Sequence, residues 1–311
     1  MSGHYIVLGS GSIGRRHFEN LEALGAKARL LPWRGIGPGD LEAALDGALG
    51  LVVATATQIR LEPVQAAAER GVALYVEKPL AYRAGDLATL MAAAAPVAER
   101  SVAGFMMRYH PAIRALHDDP IEAFRFNFEI GHDVREWRQN WRFAESYAAR
   151  PEGGGVLLDL CHEIDMAACL FPGVEVASVE SLGHADFPGV DFATRLSMGR
   201  AGAQGQVAMD YLSPKFIRRV ALRGRDAGVD LDLLNARQVR WDGTRETARD
   251  WDFDRNDMFL GIMGDFMALA EGRAPSDNPL LPRLDRVGES CGLIAEAWER
   301  RRIVGRIEGG F

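Results

Sequence analysis

Three places in the 311-residue sequence gather residue types that do chemistry. The first is Gly9-Ser10-Gly11-Ser12-Ile13-Gly14, a G-x-G-x-x-G run that directly follows the apolar segment His4 to Leu8. Glycine at its first position allows a tight turn, at its second lets backbone approach a pyrophosphate, and at its third lets a helix pack on a strand. A helix that starts there offers N–H groups and the positive end of its dipole to phosphate oxygens, so Gly9, Gly11, Ser12, Ile13 and Gly14 are the expected cofactor contacts. The run alone is a weak signal; the strand before it and the helix after it give it meaning. The second place is Glu77-Lys78-Pro79, after the apolar segment Val72 to Val76. A lysine at the carboxyl end of a parallel strand reaches the crevice where such sheets take ligands, and there an ammonium can polarise a reacting oxygen. The third is His162, on a helical pattern that follows Gly153-Gly154-Gly155. Histidine titrates near neutrality and suits a general base. Asp159, three residues before it, shares its helix face, and Asp165, about 60° round the helix, is the alternative partner.

Cofactor choice turns on the end of the second strand. NAD sites usually carry an acid there for the ribose 2′-hydroxyl. This sequence has Leu31-Pro32-Trp33-Arg34. Arg34, with Arg15 or Arg16, suits a 2′-phosphate, so the expected cofactor is NAD(P), leaning to NADP. Thr55, after the third strand, is a further expected contact, as are Glu77 and Lys78.

The elements that must position these residues alternate. Strand patterns cover His4 to Leu8, Ala28 to Leu31, Leu51 to Ala54, Val72 to Val76 and Val102 to Phe105. Helical patterns cover Ile13 to Leu24, Glu62 to Arg70 and Asp86 to Ala95. Alternation of this kind predicts a doubly wound parallel sheet, an N-terminal Rossmann domain over 1–118. Beyond it, alternating runs predict strands at Phe124 to Glu129, Val176 to Ser181, Ala193 to Met198, Gly205 to Tyr211 and Ile217 to Leu222. Two amphipathic helices follow, over Asp257 to Glu271 and Leu284 to Arg301.

At "VALYVEKPLA" (72–81), "GFMMRYHPAIRAL" (104–116) and "GGGVLLDLCHEID" (153–165), together with the glycine run and Arg15-Arg16-His17, the sequence resembles the Gfo/Idh/MocA oxidoreductases. The resemblance covers nearly the whole chain. It implies a Rossmann domain followed by an α/β domain, here 119–311, with a large, open, mostly antiparallel sheet whose exposed face forms a homodimer or homotetramer. It also implies a cis Lys78–Pro79 bond, and hydride transfer between a nicotinamide and a sugar, polyol or sugar derivative. In that reaction Lys78 polarises the oxygen, His162 carries the proton and Asp159 supports His162. The stretch from Trp137 to Asp165 is similar to enzymes of surface-polysaccharide and amino-sugar biosynthesis. Arg108, Arg138, Arg142 and Tyr147 are the candidate substrate contacts, the arginines being able to clamp a carboxylate or phosphate; Tyr109-His110-Pro111 is read as the domain crossover. The sequence departs from the family at Arg60, where a histidine is common, at Met106, where an asparagine is common, and in the three-residue spacing of Asp159 from His162. Two alternatives stay open: a redox-neutral NAD-dependent glycosidase, and a non-catalytic dinucleotide-binding regulator.

Composition narrows the classes. The 311 residues suit two domains of roughly 100–200 each. A net charge of −7, with the charges mixed along the chain, argues against nucleic acid as a partner. Cys161, Cys169 and Cys291 make an odd count without a Cys-x-x-Cys pair, so neither a disulfide framework nor a metal cluster is expected. No apolar run approaches the roughly 18–20 residues that span a bilayer. The sequence enters a strand almost at once, which leaves no signal peptide in view, and a cytoplasmic location is expected.

Overall fold

The computed structural model describes residues 3–37, 39–136 and 142–309. In chain order it begins with β1 (His4–Leu8), α1 (Ser12–Ala23), β2 (Ala28–Leu31), α2 (Asp40–Leu45), β3 (Ala48–Val53), α3 (Leu61–Glu69), β4 (Ala73–Val76), α4 (Ala84–Ala94) and β5 (Val102–Ala103). It continues with α5 (Pro111–Asp118), β6 (Ala123–Gly131), α6 (Val156–Asp159), α7 (His162–Leu170), β7 (Glu175–His184), β8 (Phe187–Arg200), β9 (Ala203–Asp210) and β10 (Ile217–Gly224). The last elements are β11 (Gly228–Asp232), β12 (Arg237–Asp242), β13 (Arg245–Asp250), α8 (Arg255–Ala270), α9 (Gly288–Arg300) and β14 (Arg302–Ile307). They form two compact units, Met1–Tyr109 with Asp254–Cys291, and His110–Phe253 with Gly292–Phe311.

In the first unit, β1 to β5 make one parallel sheet in the order β2-β1-β3-β4-β5. Its inner strands are near-continuous apolar runs, Tyr5 to Leu8, Leu51 to Val53 and Ala73 to Val76, all buried. That pattern belongs to a parallel sheet covered on both faces. The order reverses between β1 and β3, and at such a switch point the carboxyl ends of the strands open a crevice for a ligand.

The domain limits expected at 118/119 differ from this division. Residues 254–291 belong to the first unit, because α8 packs its aromatic stripe on the parallel sheet. Phe266 lies edge-on to Tyr5 at 5.9 Å and to Tyr75 at 5.8 Å. Gly50 in β3 makes the room, since a Cβ there would lie 2.5 Å from the Phe266 ring. A capping box, with the Asp254 side chain accepting from Asn256 N at 2.6 Å and Asp257 accepting from Asp254 N at 3.0 Å, starts this helix. At the other end of the unit the chain crosses between Tyr109 and His110. Tyr109 donates to Asp265 at 2.6 Å within the first unit. His110 accepts from Ala112 N at 3.2 Å and so caps α5 in the second.

The second unit is a nine-stranded sheet in the order β13-β12-β11-β10-β6-β9-β8-β7-β14. The β6–β9 and β7–β14 pairs are parallel and the other pairs antiparallel. One face is apolar: Phe126, Phe128, Val207, Leu196, Val220 and Leu222 are buried, with Phe126 stacked on Phe171 at 4.3 Å. The other face is polar, with a row of alternating charge. Asp250, Arg237, Asp232, Arg219 and Glu129 stand in successive register, and beyond Ala208 come Arg195, Glu180 and Arg302. Opposite charges on adjacent strands support the pairing of strands that carry few apolar residues.

The chain differs from the sequence reading in several elements. The helix expected to carry both Asp159 and His162 is broken at Leu160 and Cys161 into α6 and α7. The fifth strand stops at Ala103 and a 3-10 turn takes Met106–Tyr109. The last helix starts at Gly288, after a separate 3-10 turn at Leu284–Arg286. α2 and β11 to β14 are additional.

Candidate functional site

The glycine turn sits at the carboxyl end of β1. Gly9 has φ +114°, and a Cβ on it would lie 2.5 Å from the Ala54 carbonyl oxygen at the end of β3. Only glycine is comfortable there. A Cβ on Gly14 would lie 1.8 Å from the Gly9 oxygen, so the helix can close on the turn only because position 14 is bare. Gly11 is different: a Cβ there would meet nothing within 4 Å. It is the N-cap of α1 and no side chain caps the helix. By helix geometry the N–H groups of Ser12, Ile13 and Gly14 find no acceptor inside the helix. Nearby, Thr55 is 8% exposed and its hydroxyl has no hydrogen-bond partner among the described residues. An open approach over Gly11, a helix N-terminus and an orphaned buried hydroxyl fit a dinucleotide pyrophosphate.

The carboxyl end of β4 carries Glu77, Lys78 and Pro79, and the Lys78–Pro79 bond is cis. Glu77 is buried. It faces His17 Nε2 at 2.7 Å and accepts from Lys78 N at 3.1 Å. Burial alone would raise its carboxyl, but the hydrogen bond from His17 and the charges of His17, Lys78 and Arg60 outweigh it and hold the group below the usual glutamate value. Glu77 therefore anchors the lysine's own backbone from below, and Gly104 leaves it room: a Cβ there would lie 2.9 Å from the Glu77 carboxyl carbon. Lys78 itself is half-exposed.

Arg60 is 4% exposed. Its guanidinium donates to the Thr55 carbonyl at 3.2 and 3.0 Å and also to the carbonyls of Glu77 and Pro79. The sequence marks this arginine only as a departure; its site at the start of an apolar helix is the signal of a buried role. Arg34 is exposed in the turn after β2, and Arg15 is exposed on α1. Arg16 lies over the Phe259 ring at 4.8 Å. Arg108, an expected substrate contact, is buried inside the first unit, where it donates to Ser290 Oγ at 3.0 Å and Leu280 O at 3.4 Å.

In the second unit the polar centre is Asp159. Its carboxylate accepts from Tyr147 Oη at 2.5 Å and from Tyr211 Oη at 3.0 Å. Tyr211 is fully buried, and burial together with the charge of Asp159 pushes its phenol well above the ordinary range, so it stays a donor. Tyr147 is 53% exposed as a residue while its hydroxyl is engaged. His132 follows β6 and packs against Phe216 at 4.9 Å. Partial burial lowers its imidazole, against the opposing pull of Asp133, Asp159 and Asp210. Neither Tyr211 nor His132 stands out in the sequence; each lies where its strand ends, which is the available signal. His162 is buried as the first residue of α7. The next residue, Glu163, fixes that turn to β10 through a buried ion pair with Arg218 at 2.6 Å. Upstream, the buried carboxylate of Asp191 accepts from Leu157 N at 2.9 Å, holding the start of α6. Arg142 is 83% exposed and 3.9 Å from Glu145. Arg138 lies outside the described residues. Among the described residues no group of three His, Cys, Asp or Glu side chains gathers as metal ligands, and no helix is long and apolar enough to cross a membrane.

No protein-family model and no curated protein matches the sequence. Solved structures do resemble the fold. A UDP-N-acetylglucosamine 3-dehydrogenase, GnnA, from Acidithiobacillus ferrooxidans superposes with a TM-score of 0.74 at 18% identity, over 97% of this chain and 98% of that one. An inositol dehydrogenase homologue from Azotobacter vinelandii, complexed with NAD+, gives a TM-score of 0.74 at 15% identity, over 96% of each chain. A levoglucosan dehydrogenase complexed with NADH and levoglucosan gives 0.71 at 17%, over 96% of this chain and 98% of that one. At these identities the likeness establishes the architecture: a Rossmann-type parallel sheet and a large mixed sheet in one chain.

Proposed function

We propose that the protein is an NAD(P)-dependent oxidoreductase that moves a hydride between nicotinamide and a hydroxyl or carbonyl carbon of a sugar, polyol or sugar derivative, of the kind used by enzymes of surface-polysaccharide and amino-sugar biosynthesis. The observation that carries this reading is the carboxyl edge of the parallel sheet, which gathers the open Gly11 turn, the orphaned Thr55 hydroxyl and Lys78. Fold neighbours support it: an inositol dehydrogenase homologue complexed with NAD+, a levoglucosan dehydrogenase complexed with NADH and levoglucosan, and a UDP-N-acetylglucosamine 3-dehydrogenase.

Bound nicotinamide supplies or takes the hydride. Gly9, Gly11 and the first turn of α1 would hold its pyrophosphate, and the Thr55 hydroxyl would make one hydrogen bond to it. Arg34, exposed in the turn after β2, would pair with the 2′-phosphate of NADP, the form towards which the sequence leans. The Lys78 ammonium, its backbone fixed by Glu77, hydrogen-bonds the reacting oxygen and stabilises negative charge on it. His162 takes the hydroxyl proton in oxidation and returns it in reduction, and Asp159, with Tyr147 beside it, belongs to the sugar-binding side. Arg108, after the fifth strand, and Arg138 and Arg142, whose guanidinium groups can clamp a carboxylate or phosphate, remain proposed substrate contacts. Assembly as a homodimer or homotetramer through the polar face of the nine-stranded sheet is part of the same reading, the alternating charge row offering a surface that can pair with its own copy.

Titration with NADPH and NADH by nicotinamide fluorescence, followed by turnover on myo-inositol, levoglucosan and UDP-N-acetylglucosamine, tests it. Binding of a dinucleotide, with turnover lost in Lys78→Ala and His162→Ala while binding persists, is the expected result. Full activity in both variants, or no dinucleotide binding by folded protein, overturns it.

A further inference from the structure

Arginine is a costly residue to bury. Its guanidinium loses hydration and needs a fixed acceptor for its N–H groups. At the start of α3, Arg60 is 4% exposed and spends its donors on main-chain carbonyls. They come from two separate loops. Nε and Nη2 reach Thr55 O at 3.2 and 3.0 Å at the carboxyl end of β3, and Nη1 reaches Glu77 O and Pro79 O at the carboxyl end of β4. An apolar side chain of similar volume would fill the same space at no cost in desolvation. What it would not do is set the distance and twist between the two loops. A planar fork with donors at fixed angles does that, and a lysine ammonium, a point charge on a flexible stem, does not.

The residues on those loops are the ones with work to do. Thr55 presents a buried hydroxyl that has no partner among the described residues, next to the carbonyl that Arg60 holds. Lys78 lies between the two other carbonyls in sequence, flanked by Glu77 and Pro79. We propose that Arg60 is a positioning residue: its guanidinium staples the β3 and β4 loops together and so sets the Thr55 hydroxyl and the Lys78 main chain for the nicotinamide cofactor. The inference rests on the reading of the first unit as a dinucleotide site.

The test uses the full chain and its Arg60→Lys and Arg60→Ala variants, titrated with NADPH and NADH, with melting temperatures recorded on the same samples. Arg60→Lys is expected to fold and to bind about tenfold more weakly, the loss of one or two charge-assisted hydrogen bonds' worth of geometry. Arg60→Ala is expected to bind more weakly still and to recover affinity when methylguanidinium is added at constant ionic strength, but not with methylammonium. A residue that only fills space would show no such preference for the planar cation. Wild-type affinity in either variant, or equal recovery with both cations, overturns the inference. Should Arg60→Ala fail to fold, Arg60→Lys decides: affinity equal to wild type refutes the staple. If the wild-type chain itself binds neither dinucleotide, the dinucleotide reading falls and the inference with it, a result separable from unaltered binding in the variants.

Discussion

Gly11→Ala is expected to weaken dinucleotide binding at least about tenfold with little change in the fold, and Gly14→Ala to damage the fold itself. At Gly11 the backbone is ordinary, φ −69° and ψ 178°, and an added methyl meets nothing within 4 Å. The cost to the free protein is then only the poorer N-cap quality of alanine, about 1 kcal/mol or less. For a chain of this size that is a fall in melting temperature of roughly 2–4 °C. The same methyl occupies the approach to the N–H groups of α1. Losing one or two charge-assisted hydrogen bonds to a phosphate, at about 1.5–3 kcal/mol each, weakens binding by at least about tenfold to a hundredfold. At Gly14 the geometry reverses, because a methyl would sit 1.8 Å from the Gly9 carbonyl oxygen, and backbone cannot rotate away. Overpacking of that kind costs about 3 kcal/mol or more, roughly 6–12 °C of melting temperature. Fluorescence titration with NADPH and NADH, beside thermal melts, measures both quantities on both variants. Wild-type affinity in Gly11→Ala would show that no phosphate passes over that residue. A Gly14→Ala protein as stable as wild type would refute the packing argument.

Other outcomes follow from single contacts. Arg34→Ala should weaken NADPH binding by about tenfold and leave NADH binding unchanged, since only the former offers a phosphate to the guanidinium; equal loss for both would make Arg34 a bystander. Tyr211→Phe removes a buried donor from the Asp159 carboxylate and should lower stability by about 2 kcal/mol, read from urea denaturation. His110 predicts a pH dependence. Burial, helped by the charge of Arg218 and opposed by the bond to the Leu233 carbonyl, lowers its imidazole from 6.5 to about 4. Above pH 6.5 neither the folded nor the unfolded state binds this proton, and its contribution is level. As pH falls from 6.5 towards 4 the unfolded chain takes up a proton that the folded one refuses, so stability is lost. By pH 4.5 the loss from this residue is about 2.5 kcal/mol. His110→Asn, which keeps an N-cap, should lose that much less between pH 7 and pH 4.5 in denaturant midpoints; identical losses in the two proteins would refute the assignment.

Much of the first unit was legible because its signals are local. The glycine run, the strand before it and the helix after it follow from neighbours in sequence, and so did Thr55 and Lys78 at the ends of apolar strands that a covered parallel sheet demands. The core strands of the second sheet, Phe124 to Glu129 and Ala193 to Met198, showed their alternation for the same reason: one face is buried and the other is not. What stayed hidden depends on partners far along the chain. β13, Arg245–Asp250, is exposed at every residue and carries no apolar face; only its pairing with β12 makes it a strand. The break between α6 and α7 was hidden as well, because the tyrosines that hold Asp159 lie 12 residues before it and 52 after it.

The sequence by itself determined the alternation of strands and helices that builds the parallel sheet, the glycine turn after β1 and the residue types available for chemistry, since each is written in short-range pattern and backbone freedom. Tertiary structure alone decided that α8 covers the parallel sheet, that Asp159 is held by Tyr147 and Tyr211, and that Arg60 joins the two loops beside Thr55 and Lys78. The reason is physical: a buried charge or ring is tolerable only against the particular surface or donors that receive it, and those come together only when segments distant in sequence pack.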